Sequence, residues 1–196
     1  MFATVPLEPL ALPAPEPFST LLPRRGIAVG TATLVSGPIG SGVYMAIVEL
    51  LAKASGAGRN IAIISIPDLG VGALADAGWD LERLASIDVP ASEAPRAAMI
   101  AMDGFDIVLL PIQAVGQGWR RVAAKARERK AAVVVVDRGG DTSHRRSILA
   151  AAGVDAIVSP AGVRWDGPLE ETVFGSPVLE ISVEHHGRVS RSASVG

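Results

Sequence analysis

The chain has 196 residues and a mass of 20.2 kDa, a length that predicts one domain. With 49% hydrophobic and 19% charged residues and a mean hydropathy of +0.38, it is no disordered polar chain and can fill one sizeable core. The absence of cysteine excludes disulfides, thiolate-held zinc, iron–sulfur clusters and cysteine nucleophiles, and a net charge of −2 excludes a chain that is basic throughout.

Residues 1–23 hold six of the fourteen prolines and predict an extended tail or an arm lying on the domain rather than a helix. They carry no basic n-region, and Pro6, Pro9, Pro13, Pro15 and Pro17 interrupt any apolar leader, so a cytoplasmic protein is expected. Residues 26–48 are free of charge and long enough to cross a bilayer. Gly26, Gly30, Gly37, Pro38, Gly40 and Gly42 break that stretch, which reads instead as a buried strand and a glycine turn. The RecA-like domain, argued below, is placed over 24–196.

Strands are predicted at 31–36, 60–66, 84–89, 105–110 and 131–136, and helices from the glycine turn to about 55, then at 72–77, 93–102 (capped by Ser92) and 119–130. Short apolar strands alternating with helices predict an α/β fold whose parallel sheet is covered on both faces. After Asp137 come a short helix at 147–152 and strands near 156–159, 178–183 and 188–192, the last two forming an antiparallel hairpin around His185, His186 and Gly187.

The sharpest motif is Gly37-Pro38-Ile39-Gly40-Ser41-Gly42-Val43-Tyr44, which has the frame of a phosphate-binding loop, G-x-x-x-x-G-K-[ST], between strand and helix. In that motif a lysine meets the β- and γ-phosphates and a small hydroxyl holds Mg²⁺. Val43 stands at the lysine position and Tyr44 at the hydroxyl position. The acid that organises Mg²⁺ at the end of a neighbouring strand is also missing: the strand at 105–110 runs into Pro111, and Asp106 lies at its opposite end. The loop shape is kept and its chemistry lost, so no nucleotide cofactor and no ATPase activity are expected.

Arg24-Arg25-Gly26, the strand and the glycine loop, with Asp68-Leu69-Gly70 through Ala77-Gly78-Trp79-Asp80-Leu81-Glu82-Arg83-Leu84, resemble the RecA-type ATPase core. The resemblance implies a RecA-like sheet with an antiparallel C-terminal hairpin. It places the water-activating glutamate close to Pro67, with Asp68 one residue away. Within that superfamily the chain is similar to the actinobacterial ImuA-prime proteins, through Ile66-Pro67-Asp68-Leu69-Gly70, Ala126-Arg127-Glu128-Arg129 before the valine strand, and Arg164-Trp165-Asp166-Gly167 ahead of Leu179-Glu180-Ile181-Ser182-Val183. That resemblance implies an accessory of DNA-damage-induced mutagenesis, working with ImuB, a Y-family polymerase-like protein, and through it with an error-prone C-family polymerase.

Two basic segments are candidates for contact with DNA or an acidic protein. Helix 119–130 carries Arg120, Arg121, Lys125, Arg127, Arg129 and Lys130 against the single acid Glu128, in two stripes at helical spacing. The plainer reading, a solvated face with Val122, Ala123 and Ala126 turned to the sheet, is preferred. The stretch from Arg138 to Arg146, with Arg145 and Arg146 at its end, reads as a mobile basic loop. His144, His185 and His186 make no metal set, Ser41 has no triad partners, and Trp119 and Trp165 read as packing anchors. The expected function is a non-catalytic RecA-like adaptor. A RecA-fold division inhibitor similar to SulA, a DNA-binding accessory with weak nucleotide binding, and self-association stay open.

Overall fold

The computed structural model describes residues 10–116, 118–139, 153–166, 176–185 and 188–195. The predicted helix at 147–152, and His144, Arg145, Arg146 and His186, lie outside the described residues.

An eight-stranded sheet forms the centre. In chain order its strands are β3 (Ala32–Ser36), β4 (Ile61–Ile64), β5 (Leu84–Ile87), β6 (Ile107–Pro111), β7 (Ala132–Asp137), β8 (Val154–Asp166), β9 (Ser176–His185) and β10 (Arg188–Val195). Their spatial order is β10-β9-β8-β3-β7-β6-β4-β5. From β8 to β5 all neighbours are parallel, whereas β9 and β10 are added antiparallel. The fold is therefore α/β, as the strand–helix alternation predicts. The predicted hairpin is present, but β8 runs well beyond the expected strand at 156–159 and pairs with β9 from Ile157↔Glu184 to Asp166↔Ser176.

Uniformly apolar strands have a physical consequence here: alternate side chains fill two separate cores. On one face Ile61, Ile63, Ile107, Leu109, Val134 and Val136 pack under α2 (Val43–Gly56). On the other, Ile64, Val108, Leu110, Val133 and Val135 pack under α4 (Ala94–Ala101) and α5 (Trp119–Arg129). Helix α4 starts one residue later than expected, with Glu93 rather than Ser92 at its N-cap and Pro95 in its first turn, where a missing N–H costs nothing.

The described part of the proline-rich arm, residues 10–23, joins the first core. Its residues 11–13 form β1 (Ala11–Pro13), paired antiparallel with β2 (Gly26–Ala28), and it does contain one helical turn, α1 (Phe18–Leu21). Leu12, Ala14, Phe18 and Leu22 are buried against α2 and the sheet. The prolines lie outside that turn or at its edge, which is why a helix of only four residues fits between them. Helix α3 (Val71–Asp76) follows β4, and Trp79 beyond it is buried, its indole N–H donating to the Val48 carbonyl at 2.9 Å.

Candidate functional site

The glycine loop joins β3 to α2 at the carboxyl ends of the parallel strands, the place where open α/β sheets gather ligands. Gly40 and Gly42 both have positive φ, +86° and +94°. A side chain on Gly37 would meet Ser41 Oγ at 2.3 Å, so Ser41 would have to shift to admit one. Ser41 is buried and its hydroxyl has no hydrogen-bond partner among the described residues. The loop is tied to β7 through the Gly37 N–H, which donates to the Asp137 carbonyl at 3.1 Å.

Val43 begins α2 at the lysine position of the phosphate-loop frame, 5% exposed and packed in the core. It presents no charge to the loop. Tyr44 follows, half-buried, and its hydroxyl accepts a hydrogen bond from Arg138 Nη1 at 2.9 Å. The same nitrogen donates to Asp68 Oδ2 at 2.7 Å, and the guanidinium carbon sits 4.5 Å from the centroid of the Tyr44 ring. Arg138 thus bridges the first turn of α2 and the segment after β4, and the Asp68 carboxylate raises its pKa further, with help from Tyr44.

Arg138 is held in place by its neighbour. Asp137, buried at the end of β7, accepts from Ser36 Oγ at 2.6 Å and from the Gly139 N–H at 2.9 Å. These bonds fix the backbone on both sides of the arginine and join the ends of β3 and β7. The sequence places Arg138 in a mobile basic loop. The structure corrects this for Arg138 itself: it is half-buried and bonded at the crevice. An acid–arginine pair immediately after the most apolar strand was the available signal.

A crevice of about 400 Å³ opens between Tyr44, Asp68, Pro111, Gln113 and Arg138, and a second hollow of about 250 Å³ lies on the other side of the Tyr44–Arg138 bar, against Val163. Pro111 is the last residue of β6 and brings no carboxylate to this wall. Ser65, at positive φ (+51°) after β4, both donates to and accepts from the Val89 backbone, so its hydroxyl is turned away to that strap. A magnesium-bound triphosphate needs a cation at the loop, a small hydroxyl and a metal-organising carboxylate. Val43, Tyr44 and Pro111 supply none of the three, and Asp68 is paired to Arg138. The residues present do not fit that group.

The basic helix is placed away from this crevice by its packing. Trp119, Val122 and Ala126 of α5 are buried. Lys125 Nζ and Arg129 Nη2 meet Asp103 Oδ1 at 2.9 and 2.8 Å, so these two belong to a latch onto the end of α4 and not to an open stripe. Arg120, Arg121 and Arg127 are exposed and have no ion-pair partner among the described residues; Lys130 caps the helix in the left-handed conformation. Trp119 is a packing anchor, but Trp165 is 57% exposed, which corrects the expectation that both tryptophans pack. Among the described residues there is no cluster of three metal-ligating side chains, and no helix is long and apolar enough to cross a membrane.

Three comparisons bear on this site. The MT3502 N-terminal domain family matches residues 20–142, which span the glycine loop, the crevice and α5. The uncharacterized protein Rv3395c of Mycobacterium tuberculosis is 32% identical over 145 residues, covering 69% of this chain and 68% of its own length. The crystal structure of the KaiC-like protein PH0186 from the hyperthermophilic archaeon Pyrococcus horikoshii OT3 matches 94% of this chain and 90% of its own, with a TM-score of 0.60 at 14% identity. That likeness shows the fold, a RecA-like one.

Proposed function

The chain belongs to the MT3502 N-terminal domain family, and from that premise and the state of its crevice we propose that it is a non-catalytic RecA-like adaptor in a DNA-damage-induced translesion mutagenesis complex. The observation that carries this reading is the replacement of a nucleotide's contacts by side chains of the chain itself. Val43 is sealed into the core where a lysine would reach phosphate, and Arg138 ties Tyr44 to Asp68 across the place where the chemistry would occur. A scaffold locked without nucleotide suits a constant binding role better than a cycle of binding, hydrolysis and release.

The partner is proposed from the resemblance to the ImuA-prime proteins. It is an ImuB-like member of the Y-family polymerases, with an error-prone C-family polymerase reached through it. Co-expression with the ImuB-like protein of the same organism tests this. The expected result is a complex that survives size exclusion with no nucleotide added, and a drop in damage-induced mutagenesis when the gene is deleted. Normal damage-induced mutagenesis after deletion, or magnesium-dependent ATP hydrolysis by the purified chain, would sink the reading.

One observation favours direct DNA contact as a second reading. Arg120, Arg121 and Arg127 stay exposed and outside any ion pair among the described residues while their neighbours on α5 are latched. Such binding would fall steeply with salt. Reversing Arg120 and Arg121 to Glu should abolish it, and unchanged DNA affinity would dismiss it.

A further inference from the structure

Arg138 spends only part of its bonding capacity. A guanidinium has five N–H donors in a rigid fork. Both side-chain acceptors of Arg138, Tyr44 Oη and Asp68 Oδ2, are taken by the one nitrogen Nη1. Nε and Nη2, which form the edge that grips a carboxylate in two parallel hydrogen bonds, have no partner among the described residues. That edge belongs to a side chain whose position is fixed on three sides, by the Tyr44 ring, by Asp68 and by the Asp137–Gly139 backbone.

The surroundings are mixed, with Ser65 and Gln113 beside the apolar side chains of the larger crevice. The crevice and the smaller hollow share Ile39, Tyr44 and Arg138 as their common wall, so they adjoin as a two-lobed cleft with the guanidinium between the lobes. Pro67, Pro111 and Val136 line one end and Met45 and Val163 the other. Ile39 stands over both, 80% exposed on the loop tip. A large apolar side chain held over a hollow with a few convergent polar groups suits a recognition surface.

We propose that this cleft docks an extended segment of a partner protein that carries a carboxylate side chain with apolar residues two positions to either side, the carboxylate taking the Nε/Nη2 edge of Arg138. The two-residue spacing follows from extended chain, in which alternate side chains share a face. Charge selects this occupant over a polyphosphate. The charged side chains lining the cleft are Arg138 and Asp68, with Asp137 buried behind them. A single carboxylate is matched by one guanidinium edge, whereas several phosphate charges would meet two carboxylates and one cation. The proposal rests on the adaptor reading, since it names the surface by which such an adaptor takes hold of a partner.

The test uses the full chain alone, with a phage-displayed library of random dodecapeptides as the probe, followed by fluorescence anisotropy on the selected peptides. The expected peptides share an acidic residue flanked at two positions on each side by apolar ones. Arg138→Gln should weaken them at least tenfold, and Ile39→Ser, at an exposed site that cannot unfold the chain, at least threefold. Asp68→Asn should tighten them severalfold, because it removes the carboxylate that competes for the same arginine; no folding defect produces that sign. The proposal is overturned by no enrichment over the bare support, by selected peptides indifferent to Arg138→Gln, or by displacement of the peptides by magnesium ATP whose own binding depends on Arg138. None of these outcomes involves the polymerase-like partner, so co-purification judges the adaptor reading separately.

Discussion

Gly42 shows how a motif can keep its spelling for a new reason. In a phosphate loop glycines let backbone approach a phosphate. Here a side chain at Gly42 would meet Leu179 Cδ1 at 2.5 Å and Val163 Cγ2 at 2.8 Å, and Leu179 is fully buried. The glycine is required because β8 and β9 press on the loop. Gly42→Ala combines a left-handed backbone, costing about 1–2 kcal/mol for a residue with a side chain, with overpacking worth about 1–3 kcal/mol. Unfolding in urea should show a loss of about 2–5 kcal/mol. Gly40→Ala supplies the control, since Gly40 has a similar φ with nothing within 4 Å, and should lose only the backbone part, about 1–2 kcal/mol. Equal losses at the two sites would show that packing at Gly42 does not matter. The loop's shape was legible in the sequence because spacing encodes it. The Leu179 and Val163 contacts were not, because they come from strands more than a hundred residues away.

At the scale of elements, α5 separates what periodicity can and cannot reveal. Its inward face, with Val122 and Ala126, followed from helical spacing, and both are buried. Which cations face solvent did not follow, because Asp103, the acid that takes Lys125 and Arg129, sits after α4 and meets them only once the two helices lie side by side. Asp103 has its pKa lowered: the hydrogen bond from Lys125 is the largest cause, and together with the charges of Arg129 and Lys125 it outweighs the opposing desolvation. A carboxylate lowered in the folded state adds stability above its ordinary pKa of 3.8 and loses it as pH falls through the lower folded value. Asp103→Asn should therefore melt below the parent chain at pH 7 and converge with it near pH 2, as followed by circular dichroism. Because Asp103 is exposed and the pair is screened, the gap should also narrow in high salt. A gap that persists at pH 2 would mean that the latch is not electrostatic.

Across the whole molecule, strand composition and the alternation of elements were enough for an α/β sheet covered on both faces, because a parallel sheet forces apolar residues onto both sides of every central strand. The segment before residue 24 reads in sequence as a tail or as an arm lying on the domain, and residues 10–23 take the second form. Prolines speak against regular structure and say nothing of burial, so the sequence left the depth of that packing open. In the molecule Leu12, Ala14, Phe18 and Leu22 belong to the core over α2, and β1 closes on β2 across the predicted boundary. Phe18 is fully buried, and removing such a side chain typically costs about 3–5 kcal/mol. A domain of this kind has about 5–15 kcal/mol in total. Removing residues 1–23 would delete Phe18 together with three further core side chains and expose the apolar surface of α2 beneath them. A chain beginning at Arg24 should consequently lack a cooperative thermal transition. If the chain beginning at Arg24 unfolds in a single transition within a few degrees of the parent, the arm is an accessory to the domain rather than a part of its core.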